Sequence, residues 1–420
     1  MSLGSASSHP MSTRTPRSIL ALVAPGLIVA ATGVGAGDLA TAGFAGSKIG
    51  LTVAWAIALG AFMKFVLNEG LARWQLATDS TLLEGVARRL GRWAIVVFLL
   101  YLVPFSFFVG GALIAATGVA THALVGWPAD PATAKLFWGA MGSALAAIVA
   151  FKGGFALFER LMAISIGVMF IAVCATAVRL APDWGTLAAG FVPSDPGEGE
   201  PREWTIGLIG GVGGTVTILC YGYWMRQAGR RDAAQLATCR LDLAVAYLFT
   251  GLFGIAMLVI ANGLPLEGQG TGLLVALAAN IESALGPSGR LIFLLGAWAA
   301  IASSLLGVWQ SVPMLFVDAL QCLRGTPPVA IEALPTTRAA RWFLMALATV
   351  PLLQASIGFA AAQKAYAVYG AYFLPLLALA LLVLNGRASF VGVFRNRPWT
   401  AISLIGVLLF FVVAAVAGGR

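Results

Sequence analysis

Residues 25–47 read PGLIVAATGVGAGDLATAGFAGS. The stretch opens as an apolar helix, sets Gly33, Gly35 and Gly37 on alternate positions, meets Asp38, and resumes with small apolar residues. A glycine inside a helix costs roughly 1 kcal/mol against alanine, so three within five residues predict an unwound segment. In hydrocarbon, the N–H and C=O groups freed by such a break must be satisfied by protein or by a water-filled cavity. A carboxylate at the same depth marks a functional site by default. The glycines also fit close packing of a second helix, with Asp38 capping the half-helix that follows. That alternative accounts for the glycines and leaves the acid unexplained.

Working outward, the chain has 420 residues, 60% hydrophobic and 10% charged, with a mean hydropathy of +0.91. It has too little polar surface for a soluble globule of this length and reads as an all-α polytopic membrane protein, its partner the lipid bilayer. The net charge of +9 is spread over loops rather than gathered in a patch, so no nucleic-acid partner is expected, and no obligate protein partner is implied. Apolar spans fall near 19–47, 51–75, 93–123, 135–151, 155–178, 204–225, 241–262, 288–320, 341–360, 363–385 and 398–418, about eleven transmembrane helices. Residues 1–18 are polar and Ser-rich, lack a secretory apolar core, and read as a disordered cytoplasmic tail. Residues 19–420 read as one transmembrane domain. Lysine and arginine follow the alternation: with the N-terminus inside, eighteen of the 26 fall on inside loops, seven outside, and Lys64 within a span. This positive-inside bias places the C-terminus outside, in the cytoplasmic membrane.

Residues 204–224, WTIGLIGGVGGTVTILCYGYW, answer the first span. Gly-Leu-Ile opens both runs, at 26–28 and 207–209, and glycines follow in each. Paired interrupted spans in two halves point to the binding site of an inverted-repeat transporter. Five spans (about 19–180), five more (about 204–385) and an extra helix (about 398–418) fit that layout.

Several segments carry a resemblance: APGLIVAATGVGAGD at 24–38, NEGLARWQLATDSTLLEG at 68–85, FERLMAISIGVMF at 158–170, LDLAVAYLF at 241–249 and ALGPSGRLIFLLGAWAAIASSLLG at 284–307. Together and in order they resemble the Nramp family of divalent-metal transporters. The resemblance implies a LeuT-type 5+5 inverted repeat with discontinuous helices 1 and 6. It implies a secondary transporter of a divalent cation of the Mn, Fe or Mg class, working by alternating access. The cation is substrate; no cofactor is implied, and the coupling ion, H⁺ or Na⁺, stays open. The family's Asp-Pro-Gly-Asn motif aligns with Gly35, Ala36, Gly37 and Asp38, so its first ligand is gone and an acid stands where the amide would be. Its Met-Pro-His has no counterpart, Gly214, Thr215 and Val216 taking roughly that place. Phe373 stands near the position of a metal-binding Gln. The acidic pair of the third span is missing, since residues 99–120 hold no acidic or basic side chain.

Asp38 with Thr215, Thr217 and carbonyls freed around Gly35 to Gly37 and Gly214 forms a hard oxygen set, suited to Mg²⁺, Mn²⁺ with retained water, or Na⁺. Either threonine also fits a hydrogen bond back to its own helix. Ser303 and Ser304, with Gly33 opposite, match the Ser/Thr pair that binds sodium in LeuT-type transporters; small residues there also simply pack helices. Lys64 lies about 20 Å into the membrane from Leu51 at 1.5 Å per residue. It should pair or sit neutral, and Asp38 is one candidate partner. Gln310 and Tyr372 are candidate pathway residues, with Asp318, Tyr366 and Tyr369; an interfacial or core aromatic stripe is the more common explanation of the tyrosines.

The four cysteines, Cys174, Cys220, Cys239 and Cys322, are scattered without a C-x-x-C, and the two histidines, His9 and His122, lie outside the core. Neither a disulfide frame nor a histidine metal site is expected. There is no H-E-x-x-H, Gly-x-Ser-x-Gly or phosphate-binding G-x-x-x-x-G-K, so the chain does not read as an enzyme. Two alternatives stand beside the metal transporter: an ion-coupled symporter of a small organic or amino-acid solute, and a transport-inactive sensor or scaffold.

Overall fold

A computed structural model describes residues 19–152, 154–264 and 273–418; the expected tail at 1–18 lies outside them. The described residues form α-helices and 3₁₀ turns, with no strand among them. The first span is two helices, α1 (Ile19–Gly33) and α2 (Ala36–Lys48), bent by 58° at the glycine run. There follow α3 (Ala54–Thr78), the short α4 (Leu82–Arg89), α5 (Arg92–Val125), α6 (Pro131–Lys152), α7 (Gly154–Arg179) and the short α8 (Trp184–Ala189). The sixth span is again broken: α9 (Glu200–Gly211), an irregular stretch, a 3₁₀ turn Val216–Cys220, then α10 (Tyr221–Gln227). The remainder is α11 (Leu236–Ala261), α12 (Leu273–Arg324), α13 (Arg338–Thr349), α14 (Phe359–Ala371), α15 (Phe373–Gly386), α16 (Ala388–Val391) and α17 (Pro398–Gly418).

Local chemistry sets several boundaries. Thr81 caps α4 by accepting from the Glu84 amide at 3.1 Å, and Thr337 caps α13 through Ala340 at 3.2 Å; both satisfy an orphan N–H of a first turn. Gly286, at φ +75°, kinks α12 just before Pro287, so the apolar span read from 288 begins where a fresh helix starts. Among the described residues eight helices are long and apolar enough to cross a membrane, and each of two bent pairs adds one if it is a single span. The ninth expected span is α13 continued by the 3₁₀ turn Val350–Gln354. At ~1.5 Å per α-helical and ~2.0 Å per 3₁₀ residue this stretch runs about 28 Å, close to the hydrocarbon thickness.

Packing follows a two-fold scheme in which span n exchanges with span n+5. The first span packs on the seventh (α1 and α2 on α11), and the sixth packs on the second (α9 on α3). The third packs on the tenth (α5 on α14) and the eighth on the fifth (α12 on α7), while α5 and α12, the third and eighth, pack on each other. The third also packs on the fourth (α5 on α6) as the eighth does on the ninth (α12 on α13). This is the LeuT-type 5+5 repeat, with α17 added against α15 and α3. Residues 24–46 and 207–225 are buried, so both breaks lie at the centre of the bundle.

Candidate transport site at the two helix breaks

The two breaks meet. A Cβ added to Gly33 would lie 2.5 Å from the Gly213 carbonyl carbon, so the first break closes on the second with no room for a side chain. Gly213 and Gly214 have φ of +75° and +85°, a conformation glycine alone adopts freely. Gly35 packs against Ser304, where an added Cβ would collide, and Gly37 sits under the ring of Tyr366. Ala36 is fully buried.

Asp38 stands in the first turn of α2, where the helix N-terminus favours negative charge. Its carboxylate reaches across to the second break and accepts from the Gly213 N–H at 3.1 and 3.3 Å. Lys64 reaches the same break from α3: its ammonium donates to the Gly210 carbonyl at 2.7 Å and to that of Val212. Both side chains are buried, at 1% and 0% exposure. They form no salt bridge with each other: the lysine takes freed carbonyls, the aspartate a freed N–H. A cation and an anion thus complement the carbonyls and the N–H freed where α9 unwinds.

The remaining residues divide. Thr215 is fully buried beside Gly370 and Tyr366, next to the break. Thr217 is buried beside Gly214. Ser303 donates to the Ala31 carbonyl at 2.9 Å and shares the Ala300 carbonyl; Ser304 donates to that of Thr32 at 2.5 Å. The serine pair therefore engages the carbonyls at the end of α1. Gln310 accepts from the Trp224 indole at 3.1 Å and lines a separate cavity of about 340 Å³ with Gln227, Glu332 and Arg341. Tyr372 is 57% exposed and is not brought to the breaks, whereas Tyr366, packed on Gly37, is. Among the described residues no group of three or more His, Cys, Asp or Glu side chains converges.

One cluster near the breaks escaped the sequence reading. Asp242 of α11 accepts from the Gly26 N–H at 2.7 Å, from Tyr221 at 3.1 Å and from Arg230 at 2.5 Å. Asn68, one turn from Lys64, donates to the Tyr247 hydroxyl at 2.7 Å. The available signal was an acid inside the otherwise apolar run LDLAVAYLF.

An inverted repeat with two broken spans meeting at a buried, polar centre is the LeuT-type fold. The sequence profile of the natural resistance-associated macrophage protein-like family matches residues 26–418, and the chain belongs to that family. It is 28% identical over 260 residues to the divalent metal cation transporter MntH of Bradyrhizobium diazoefficiens, covering 58% of this chain and 55% of that protein. It is 24% identical over 321 residues to the MntH of Deinococcus radiodurans, covering 70% and 68%. The chain thus spans about half the length of the first of these relatives. Its fold is similar to that of the Eremococcus coleocola manganese transporter, with a TM-score of 0.73 at 15% identity over 97% of this chain and 87% of that one. It is also similar to that of MhsT in complex with L-phenylalanine, with a TM-score of 0.64 at 15% identity over 96% and 98%.

Proposed function

We propose that the chain is a secondary transporter of a divalent metal cation, working by alternating access around the two breaks, with Asp38 as the charged ligand. The observation that carries this reading is the Asp38 carboxylate, buried and laid from the first break onto the second. A cation held there would touch both half-helices at once, which is what lets one ion bias the equilibrium between two arrangements of the bundle. Thr215, Thr217 and the Gly214 carbonyl supply further oxygens, whereas the carbonyls expected at the first break do not, because that of Gly35 accepts from the Leu39 N–H at 2.9 Å and that of Gly37 from the Thr41 hydroxyl at 2.7 Å, while Ala36 opens the same helix. Family membership and the MntH relatives support the substrate class. Residues 19–420 form one domain in the cytoplasmic membrane, N-terminus inside and C-terminus outside, as the loop charges support.

A second reading has a specific observation behind it. Lys64 brings a positive charge to the same break, and with Asp38 the net charge there is zero, which suits a zwitterionic solute better than a dication in a low-dielectric site. Uptake into proteoliposomes of Mn²⁺, Mg²⁺ and labelled amino acids decides. Saturable divalent-cation uptake abolished in Asp38→Asn supports the first reading. Amino-acid uptake without metal uptake replaces it with the second, and no uptake of any probe leaves the sensor or scaffold.

A further inference from the structure

Away from the breaks, a cavity of about 120 Å³ opens where α3, α11 and the loop before α17 converge, and arginines ring it. Arg73 comes from α3, Arg240 from α11, and Arg395 and Arg397 from the loop; Thr400, in the first turn of α17, completes the polar lining. The carboxylate of Glu69 pairs with the first two, at 2.7 Å to Arg73 and 2.8 Å to Arg240. Arg395 and Arg397 have no ion pair among the described residues and are exposed. Four guanidinium groups against one carboxylate leave an excess of three positive charges around a small cavity.

The loop that presents them is fixed rather than slack. Arg73 donates to the Phe394 carbonyl at 3.0 Å and to the Asn396 side chain at 2.9 Å, while the Asn396 amide bonds to Asn385 at 2.8 Å. The loop backbone on either side of Arg395 is thus fixed, which leaves the Arg395 and Arg397 guanidinium groups beside the cavity, and such groups match the planar, multidentate demands of a phosphate. Val393, in the lining, is 95% exposed, and Trp399, the chain neighbour of the lining residue Thr400, is 45% exposed. An aliphatic side chain standing free beside arginines has no favourable place in water, but at a bilayer interface it meets acyl chains, with tryptophan at headgroup level. The cavity lies on the face to which the loop charges assign the cytoplasm, where basic pockets between helices hold anionic headgroups.

We propose that this pocket binds the headgroup phosphate of an anionic phospholipid, clamping α3 and α11 to α17. A cavity of this size takes one phosphate, and the exposed Val393 and Trp399 select a lipid over a soluble ester. The site is independent of the cargo and of the transport reading.

The test uses the full chain, purified and followed by native mass spectrometry with three probes: phosphatidylglycerol, phosphatidylcholine of the same acyl chains, and glycerol 3-phosphate. The wild type should retain phosphatidylglycerol at least tenfold more tightly than phosphatidylcholine. The double variant Arg395→Gln/Arg397→Gln, altered only at exposed side chains, should lose that preference while its lipid-free melting temperature stays unchanged. Arg397→Lys, which keeps the charge and loses the fork, should fall between. Equal retention of the two lipids, or a double variant that holds phosphatidylglycerol as the wild type does, overturns the site. Glycerol 3-phosphate bound as tightly as the lipid overturns the lipid assignment.

Discussion

The Lys64 ammonium caps the C-terminal turn of α9, donating to the carbonyls of Gly210 and Val212. A cation at a helix C-terminus is favoured by the macrodipole, and here it also supplies donors to carbonyls that the break has freed. In Lys64→Met those buried carbonyls lose their donor, at about 1–3 kcal/mol for each unsatisfied group, so the melting temperature in detergent should fall by several degrees. A positive charge also leaves the site. Even at an effective dielectric of about 20, a unit charge about 10 Å away costs a dication about 3 kcal/mol, so Mn²⁺ affinity, measured by calorimetry, should rise at least tenfold. An unchanged affinity would separate the lysine from the cargo site.

Asp38→Asn gives the complementary result. The amide oxygen can still accept from the Gly213 N–H, so folding survives with a small shift in melting temperature. The charge does not survive, and losing a charged ligand in a low-dielectric site costs several kcal/mol. Mn²⁺ affinity should fall by about 100-fold or more, read by binding and by flux. Wild-type affinity in Asp38→Asn would remove it from the ligand set.

Much of this architecture was legible in the sequence because lipid imposes a hard rule: the backbone must be helical, and exceptions are conspicuous. The glycine runs at 33–37 and 210–214 announced both breaks, and the loop arginines tracked the alternation of spans. The partners across the bundle were not legible. Lys64 reads as a buried charge in need of a carboxylate, but it is satisfied by the carbonyls of Gly210 and Val212, which no side-chain pattern reveals. Tyr372 and Tyr366 share a periodic stripe, yet the change of helix after Ala371 leaves one outside and one beside Gly37. Asp242 was hidden because its partners, Gly26 and Arg230, lie 216 and 12 positions away.

The serine pair bears on the coupling ion. Ser303 and Ser304 already donate to the Ala31 and Thr32 carbonyls, so the hydroxyls stabilise the end of α1 without an ion. On this geometry, uptake should be the same whether the external salt is sodium or choline. Ser304→Ala should cost about 1–2 kcal/mol of stability through the buried carbonyl it leaves unpaired. Sodium-stimulated uptake that disappears in Ser304→Ala would instead assign the pair to an ion site.

Asp242 holds α1 in place. Pro25 removes one helical hydrogen bond and crowds the preceding turn, and the next amide, that of Gly26, is given to the Asp242 carboxylate at 2.7 Å. The same carboxylate is held by Arg230 at 2.5 Å and by Tyr221 at 3.1 Å, so three elements, α1, α11 and the end of the sixth span, meet at one acid. An added Cβ on Gly26 would collide with Asp242, which leaves the contact no slack. In the proposed alternating-access cycle one half of the first span moves against its neighbours, and this contact would oppose such a movement of α1. Asp242→Asn breaks a buried pair, a change worth roughly 3–5 kcal/mol when one partner is lost, and should release α1. A cysteine placed at Val29, 2% exposed in the wild type, should then be labelled by an aqueous thiol reagent at least tenfold faster in Asp242→Asn than in the otherwise identical parent. Equal labelling rates, with a melting temperature that still drops, would reduce Asp242 to a packing role and place the moving contact elsewhere on α1.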